Sequence, residues 1–363
     1  MRNITRIIKI IAALACVAAS LVLLVSALVS VYNAPDEPCD ARIVYDEDSG
    51  EATYTYTTDF TVTFDHEPTA DEYASAMRDG RAHAETNRFG AAIALILAAV
   101  GLGIMIFFDS HFTAYEQIWF ITIIVAASVV AILFPEEDMN GVNGLVIMGL
   151  YLADTFLNLL CELLISKQSK WNFIVSVFVE ITEILMCVVL AYRFATMAAT
   201  IFFWLPIDII SFINWHKHPD DDEKELTEVR KLSGLAEVLI IVGIVVWTVG
   251  VGYLLTRIEV GTDIFGGNTL LEDIVCYLDA CVSAVGVANG VFILFRFREQ
   301  WIAWYLSAII EGVINILSGQ FVLLVLKVGY LTNTTYGYIK WTNYIRSHPA
   351  VNKTVSERSE SIE

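Results

Sequence analysis

The sequence predicts an all-α polytopic membrane protein in which two parallel three-helix bundles are joined by one helix and preceded by three further membrane spans. Its 363 residues are 56% hydrophobic and only 17% charged, whereas about a quarter of the residues in a soluble domain are charged. Apolar runs of roughly 20 residues, long enough to cross a bilayer, occur about ten times. Parts of the second half of the chain also repeat parts of the first half. These observations exclude a soluble enzyme.

The apolar runs set the positions of the predicted spans. They lie near residues 7–31, 89–108, 117–134, 143–165, 172–192, 195–215, 235–255, 274–295, 301–318 and 321–343. The first run follows Arg2, Arg6 and Lys9, a charge pattern that signal peptides and membrane anchors share. It is longer than the roughly 7–15 residues of a signal peptide's apolar core, which favours an uncleaved anchor.

The distribution of Lys and Arg predicts the orientation of the spans. With the N-terminus inside, the inner segments carry 15 of the 22 basic residues and the outer segments carry 6, while Lys327 falls within the last span. Segments next to membrane spans are richer in Lys and Arg on the cytoplasmic side. We therefore expect a multi-pass protein of the cell (plasma) membrane with both termini in the cytoplasm.

The one large predicted extramembrane segment is residues 33–88, which carries 14 of the 41 acidic residues. Tyr and Phe alternate with Thr between residues 54 and 64, around a Thr58-Asp59 turn, and this alternation predicts a β-hairpin. A polar helix is expected over residues 70–87, leading into the second span. The segment has two interpretations, a lid or partner-binding surface and an acidic solvated cap.

An internal repeat relates two segments that lie 126 residues apart. Ser211–Trp215 and Gly337–Trp341 share the pattern small-aromatic-Ile-x-Trp at the end of a span, and Trp171 and Trp301 each open the middle helix of a trio. The single span between the trios restores the original chain direction, so the repeats are parallel. This organisation is typical of transporters whose site lies between the repeats near the membrane midplane.

The repeat sets the domain boundaries that the sequence predicts. They are an N-terminal anchor (1–32), an acidic extracellular segment (33–88), two additional transmembrane helices (89–142), the first three-helix repeat (143–215), a cytoplasmic loop and linker helix (216–273), the second three-helix repeat (274–343) and a cytoplasmic tail (344–363).

Ionisable residues inside membrane spans are costly, and each one is therefore a functional hypothesis. They are Asp154, Glu162, Glu180, Glu183, Asp208, Glu237, Asp279 and Glu311. Glu180 and Glu311 lie 9 and 10 residues after Trp171 and Trp301, which puts each roughly 14 Å into the bilayer. A carboxylate pair there would attract a cationic solute or carry protons or sodium. The alternative is a protonated acid that hydrogen-bonds between helices.

Aromatic and amide side chains complete the candidate site. Trp301 and Trp304 are one helical turn apart and share a helix face, where each ring can stack on a cationic aromatic solute, although Trp301 is also explained as an interfacial anchor. Asn289 and Asn333 are hydrogen-bonding candidates for a ribose or an amide, or else bridge helices. Asp279 opens a span, where lining an entrance and capping an interface are equally good interpretations.

Other functional classes find no support in the sequence. The net charge of −19 argues against nucleic-acid binding, which needs a basic surface. The six cysteines fit no disulfide or zinc pattern, and His216 and His218 have no further ligands nearby to complete a metal site. Signatures of hydrolases and nucleotide-binding enzymes are also missing. We therefore expect no enzymatic activity and no cofactor.

Several motifs in the right order resemble the PnuC family of vitamin-precursor transporters over about residues 143–345. They are Tyr277-Leu-Asp279-Ala280, Arg298-Glu-Gln-Trp301-Ile-Ala-Trp304, Asn333-Thr-Thr-Tyr336-Gly337-Tyr338-Ile-Lys-Trp341, Ser169-Lys-Trp171-Asn-Phe173, and Pro206-Ile-Asp208 with Trp215. The resemblance implies a SWEET-like fold and facilitated diffusion of nicotinamide riboside, or of thiamine or deoxynucleosides in sister branches. Tyr336, in the last of the second trio's motifs, is one of the predicted substrate-binding residues.

The chain departs from the family pattern at three positions. Ala308 stands where the family has Asn, Val179 takes the equivalent polar position of the first trio, and Asp208 replaces an Asn. Two amides expected at a ribose are thus replaced, while acids are added nearby. The substrate therefore stays open between nicotinamide riboside, thiamine and a deoxynucleoside.

The functional hypothesis from the sequence is an alternating-access transporter for a small cationic vitamin precursor. Its predicted substrate-binding residues are Trp301, Trp304, Glu311, Asn289, Asn333, Tyr336, Glu180, Asp208 and Asp279. The other partners are the lipid bilayer and, as an open possibility, further copies of the chain. The rival from another class is a membrane sensor or scaffold that uses residues 33–88 for recognition, and coupling of transport to protons is a further alternative.

Overall fold

A computed structural model describes residues 2–32, 42–46, 51–57, 60–66, 69–107, 112–136, 139, 142–167, 169–217, 232–258, 265, 268–295 and 297–347. The chain divides into two compact units. The N-terminal unit comprises Met1–Thr113 and Ala131–Glu137, and the core unit comprises Ala114–Val130 and Asp138–Glu363.

The N-terminal unit combines two long apolar helices with a small sheet and a polar helix. Its elements are α1 (Arg2–Tyr32), β1 (Arg42–Asp46), β2 (Glu51–Thr57), β3 (Phe60–Phe64), α2 (Ala70–Ala84) and α3 (Thr86–Phe107). Helix α1 packs along α3, where the Ser20 hydroxyl donates to the Ala92 carbonyl oxygen over 3.0 Å. Most large apolar side chains of α1 are exposed, as expected of a helix that faces lipid.

The two strands of the predicted hairpin, β2 and β3, pair antiparallel, and β1 extends them to a three-stranded sheet of order β1-β2-β3. The predicted turn at Thr58-Asp59 lies outside the described residues. Helix α2 then begins with a capping box, in which Thr69 and Glu72 satisfy each other's backbone amides. The Thr69 amide and hydroxyl lower the pKa of the Glu72 carboxyl to about 2 by hydrogen-bonding its charged form. Ala76 and Met77 pack the helix against β3 residues.

The core unit is helical. Its helices are α4 (Ala114–Leu133, whose last turn falls in the N-terminal unit), α5 (Gly144–Ser166), α6 (Asn172–Leu190), α7 (Phe194–Ala199), α8 (Leu205–Lys217), α9 (Gly234–Leu255), α10 (Thr269–Leu294), α11 (Gln300–Leu317) and α12 (Phe321–Ser347). A turn of π-helix, Thr200–Trp204, joins α7 to α8. The side chains of Asn143, Ser233 and Asn268 cap the starts of α5, α9 and α10. Gly319 adopts a left-handed φ of 73° at the short turn between α11 and α12.

Nine helices in the described part of the chain are long and apolar enough to cross a membrane. They match nine of the predicted spans. The tenth predicted span, 321–343, lies within α12, which is not among the nine, because Lys327 and several Thr and Asn residues interrupt its apolar sequence.

Six helices of the core unit form a closed ring. Helix α5 packs against α6, and α6 packs against α8. The α7–α8 segment, which counts as one helix of the ring, packs against α10, and α10 packs against α11. Helix α11 packs against α12, and α12 packs against α5, which closes the ring. Helix α9 lies outside the ring on α10 and α7. Helix α4 lies against α5 and α12, where the Phe120 and Phe156 rings are 5.5 Å apart and the Trp119 indole donates to the Thr332 hydroxyl over 2.8 Å. The ring encloses the candidate site.

Candidate functional site

The ring of six helices surrounds a cavity of about 110 Å³, which has room for several water molecules. All six helices contribute polar or aromatic side chains to its wall. These are Asp154, Asn158, Glu162, Asn172, Phe173, Ser176, Glu180, Glu183, Arg193, Thr196, Trp204, Asp208, Ser283, Asn289, Trp304, Ser307, Glu311, Asn315, Lys327 and Tyr330. Six of them are acids and two are bases, so the wall is rich in negative charge.

Buried ion pairs occupy the end of the cavity next to the α6–α7 connection. The Arg193 guanidinium lies 3.1 Å from the Glu311 carboxylate and 3.7 Å from the Asp279 carboxylate. Lys327 forms an ion pair with the second Glu311 oxygen, and Thr196 donates to Asp279. Each charge in this cluster has an opposite charge in contact, which is what makes burial of ionised groups tolerable.

Arg193 also separates two cavities. A second cavity of about 440 Å³, lined by Tyr192, Arg257, Asp273 and Asp279 among others, lies on its other side, and Arg193 lines both. This side chain and its ion pairs therefore form the wall between the ring's interior and the second cavity.

Aromatic side chains line the middle of the first cavity. The Trp204 and Trp304 rings are nearly parallel, with centroids 6.4 Å apart and an interplanar angle of 24°. The Tyr330 ring meets Trp304 edge-on at 5.6 Å. Trp204 belongs to the π-helical turn, a feature that occurs often at functional sites. The Phe203 and Trp204 rings pack against α10 at Gly286 and Gly290, where the absence of a side chain leaves room for them.

Some buried polar groups on the cavity wall already have partners. Glu162 accepts a hydrogen bond of 2.7 Å from Asn333, Asp154 accepts one of 2.7 Å from Thr182, and Glu183 accepts one of 2.9 Å from Thr200. Side chains of the protein therefore already hydrogen-bond these three carboxylates.

Other polar groups on the wall keep at least one atom that has no hydrogen-bond partner among the described residues. Glu180 and Asp208 are only 6% and 4% exposed, and each has one oxygen of this kind. Asn289 is 1% exposed, and both atoms of its amide lack a partner within the same residues, as does the Trp304 indole nitrogen. Buried polar groups are normally hydrogen-bonded, so these atoms are candidates for contact with a ligand.

The structure brings together five of the nine residues predicted for the site. Glu180, Asp208, Asn289, Trp304 and Glu311 line the central cavity. A sixth, Asp279, lines the second cavity beside Arg193.

The remaining three lie outside both cavities. Trp301 is completely buried and packs against Gly337 so closely that a Cβ at that position would overlap its ring. Asn333 donates to Glu162, and the Tyr336 hydroxyl donates to Glu116 of α4 over 3.3 Å. These side chains hold helices together and do not face the cavity.

Sequence reasoning missed several residues of the site. The Lys and Arg distribution places Arg193 outside and Lys327 within the last span, and the sequence pattern links neither to an acid. Trp204 was overlooked, although the 126-residue offset of the repeat relates it to Tyr330, and both line the cavity. Glu237, counted among the intramembrane acids, is exposed in the first turn of α9, where a negative charge is favoured.

Metal binding finds no support within the described ranges, where no group of three or more His, Cys, Asp or Glu side chains is arranged to hold an ion. His216 lies at the end of α8, but its side chain is outside the described set, and His218 is outside the described residues altogether.

Comparison with known proteins gives concordant matches over the core unit. The model of the family described as nicotinamide mononucleotide transporter matches residues 149–343. The nicotinamide riboside transporter PnuC of Neisseria mucosa is 22% identical over 245 residues, which cover 65% of this chain and 84% of that protein. The protein of the same name from Haemophilus influenzae is 23% identical over 243 residues, which cover 66% and 94%. A crystal structure of the vitamin B3 transporter PnuC has a TM-score of 0.50 at 20% identity and covers 65% of this chain and 94% of its own.

Proposed function

This chain belongs to the family of nicotinamide mononucleotide transporters, and from this premise we propose that it carries nicotinamide riboside across the cell membrane by facilitated diffusion with alternating access. The family is one of transporters, so the chain is a transporter and not an enzyme. Its named relatives are nicotinamide riboside transporters, which supports this choice of substrate.

The arrangement of helices supports two moving halves. In the proposal, α5, α6 and α7–α8 form one half, α10, α11 and α12 form the other, and α9 joins them. The central cavity is lined by both trios, as expected when a substrate binds between repeats. A cavity of about 110 Å³ must widen to admit a riboside, and rocking of the two halves would supply that change.

The Arg193 cluster is suited to be the barrier at one end. To connect the two cavities, the ion pairs from Arg193 to Glu311 and Asp279 must separate. Ala191 and Arg193 both have left-handed backbone conformations, with φ of 50° and 60°, which cost roughly 1–3 kcal/mol each in residues other than glycine. Strain of this kind is common at hinges and switches. In the topology that the Lys and Arg distribution predicts, with both termini cytoplasmic, this barrier faces the outside.

The observation that carries the proposal is the Trp204–Trp304 pair beside the unpartnered Asn289 amide. Nicotinamide riboside offers a flat aromatic ring, a carboxamide and ribose hydroxyls. Tryptophan faces bind such a ring by stacking, and a buried amide without partners supplies a donor and an acceptor.

Transport by purified protein in liposomes tests the proposal. We expect saturable uptake of radiolabelled nicotinamide riboside that a protonophore leaves unchanged. Trp304→Ala should lower uptake about tenfold, since a desolvated cation–π contact is worth up to about 2 kcal/mol. Trp171→Ala is the matched control, because Trp171 does not line the cavity. Thiamine and deoxynucleosides as competitors separate the alternative substrates. Absence of saturable uptake, or equal effects of the two variants, would refute the proposal.

A further inference from the structure

Six acids line the central cavity, and the structure divides them into two groups. Four have partners in the protein: Glu311 contacts Arg193 and Lys327, and Asp154, Glu162 and Glu183 accept hydrogen bonds from side chains. Glu180 and Asp208 differ, since each keeps one buried oxygen for which no described residue is a partner. Their negative charge is the part of the wall that the protein does not neutralise.

The Glu180 and Asp208 carboxylates lie close to each other and to the aromatic pair. The Ser176 side chain is a hydrogen-bonding partner for both Glu180 and Asp208, and α6 packs against α8. Asp208 follows Trp204 by four residues on one continuous helix, so the carboxylate and the indole share a helix face one turn apart. A flat ring stacked at Trp204 would therefore have a carboxylate near its edge.

We propose that Glu180 and Asp208 make this cavity selective for solutes that carry a fixed positive charge, and that they are specificity-determining residues for the proposed riboside transport, on which this inference rests. A buried carboxylate without an opposite charge beside it is costly. A pyridinium cation supplies the missing charge, whereas a neutral solute of the same shape covers the carboxylates and removes them from water without compensation. Rejection of the neutral solute follows from this difference.

The Asn289 amide on the same wall supports a second point, namely that these acids face a ligand site and are not part of a structural ion pair. Both atoms of the Asn289 amide lack partners among the residues described, and the side chain is almost completely buried on the same cavity wall. The described bases on this wall, Arg193 and Lys327, both contact Glu311. The positive charge that balances Glu180 and Asp208 is thus expected to come from the solute.

The experiment compares nicotinamide riboside with 1,4-dihydronicotinamide riboside, its neutral two-electron-reduced form, which has the same substituents. Both are offered to the full-length protein in liposomes held at zero membrane potential with potassium and valinomycin, so that the potential does not favour the cation. We expect the wild type to take up the cation at least about tenfold faster at low concentration, a factor that corresponds to about 1.4 kcal/mol.

The variants then assign the preference to the two acids. Glu180→Gln combined with Asp208→Asn should bring the two uptake rates to within about twofold, by slowing the cation and by removing the penalty on the neutral form. Each single variant should give an intermediate ratio, which keeps the test available if the double variant does not fold. Glu237→Gln is the matched control, because this exposed glutamate lies in the first turn of α9, outside the ring, and should keep the wild-type ratio.

The outcomes separate this inference from the proposed function. If the wild type carries the cation and the neutral form equally well, or if the double and single variants keep the wild-type ratio, charge selection by Glu180 and Asp208 is wrong while riboside transport stands. If the wild type carries neither compound, both proposals are wrong.

Discussion

The two halves of the ring place an acid at nearly the same depth and use it differently. Glu311 contacts both Arg193 and Lys327, whereas Glu180, at the matching point of the first repeat, has a buried oxygen that no described side chain partners. A repeated sequence position therefore does not repeat a role. In the proposed mechanism, the second half supplies the paired charge that closes one end of the cavity, and the first half supplies the charge that attracts a cationic solute.

The tryptophans that open the middle helices differ in the same way. Trp301 is completely buried, whereas Trp171 is 57% exposed. In the second half, Gly337 leaves its backbone open to the Trp301 ring. The first half has Ser211 at the matching position of the motif, and Trp171 lies at the surface. The tryptophan of the second repeat is thus part of the core, and the tryptophan of the first repeat lies at the surface.

The largest effect is expected from removing the buried tryptophan. Trp301→Ala should lower the free energy of unfolding by about 4–5 kcal/mol, the upper end of the range for a large buried aromatic, because its site is completely enclosed. Trp171→Ala, the equivalent change in the first half, should cost less than about 1 kcal/mol. Denaturation in mixed micelles measures both. Similar losses in the two variants would contradict the asymmetry of the halves.

The next effect concerns the paired and unpaired acids. Arg193→Ala should destabilise the protein by about 3 kcal/mol, the lower end for breaking a buried ion pair, because Lys327 still neutralises Glu311. Glu180→Gln should leave stability unchanged or raise it, since it removes a buried charge of which one oxygen has no described hydrogen-bond partner. The two are compared by thermal unfolding in detergent.

Arg257→Ala is the control for the arginine, because Arg257 is exposed and stacks on Tyr253 at 4.9 Å. It should shift stability by less than about 1 kcal/mol. A large loss on Glu180→Gln would mean that the first-half acid is structural after all, and that the contrast with Glu311 is wrong.

Local sequence signals predicted much of the fold but only part of the site. Apolar runs predicted the nine helices that are long and apolar enough to span a membrane. The intramembrane acids and Trp304 predicted part of the cavity wall, because an acid inside an apolar run can be recognised from the sequence alone. Arg193 was not linked to the site because its partner Glu311 lies 118 residues away and its own position reads as a loop. The position of the Trp204 side chain depends on a π-helical turn, which no residue pattern in the sequence predicts.

The predicted role of Trp301 failed to match its position for a related reason. Spacing along a helix indicates which residues share a face, but it does not say what the face contacts. Trp301 and Trp304 are one turn apart, yet Trp304 lines the cavity and Trp301 packs against Gly337 and Cys161. The neighbour that decides this, Gly337, lies on another helix.

The smallest effect comes from exchanging the residues that distinguish the two motifs. Gly337→Ser gives the second half the residue of the first, and its Cβ would overlap the Trp301 ring. Overpacking of this kind costs about 1–3 kcal/mol, offset by up to about 1 kcal/mol because glycine is a poor helix residue. We expect a net loss of about 1–2 kcal/mol together with a red-shifted tryptophan emission as Trp301 moves. The reciprocal Ser211→Gly should cost up to about 1 kcal/mol and leave the Trp301 emission unchanged, because it keeps the contact between Gly337 and Trp301. If Gly337→Ser were as stable as the wild type and kept its emission, the glycine would not be what buries Trp301, and the difference between the halves would need another cause.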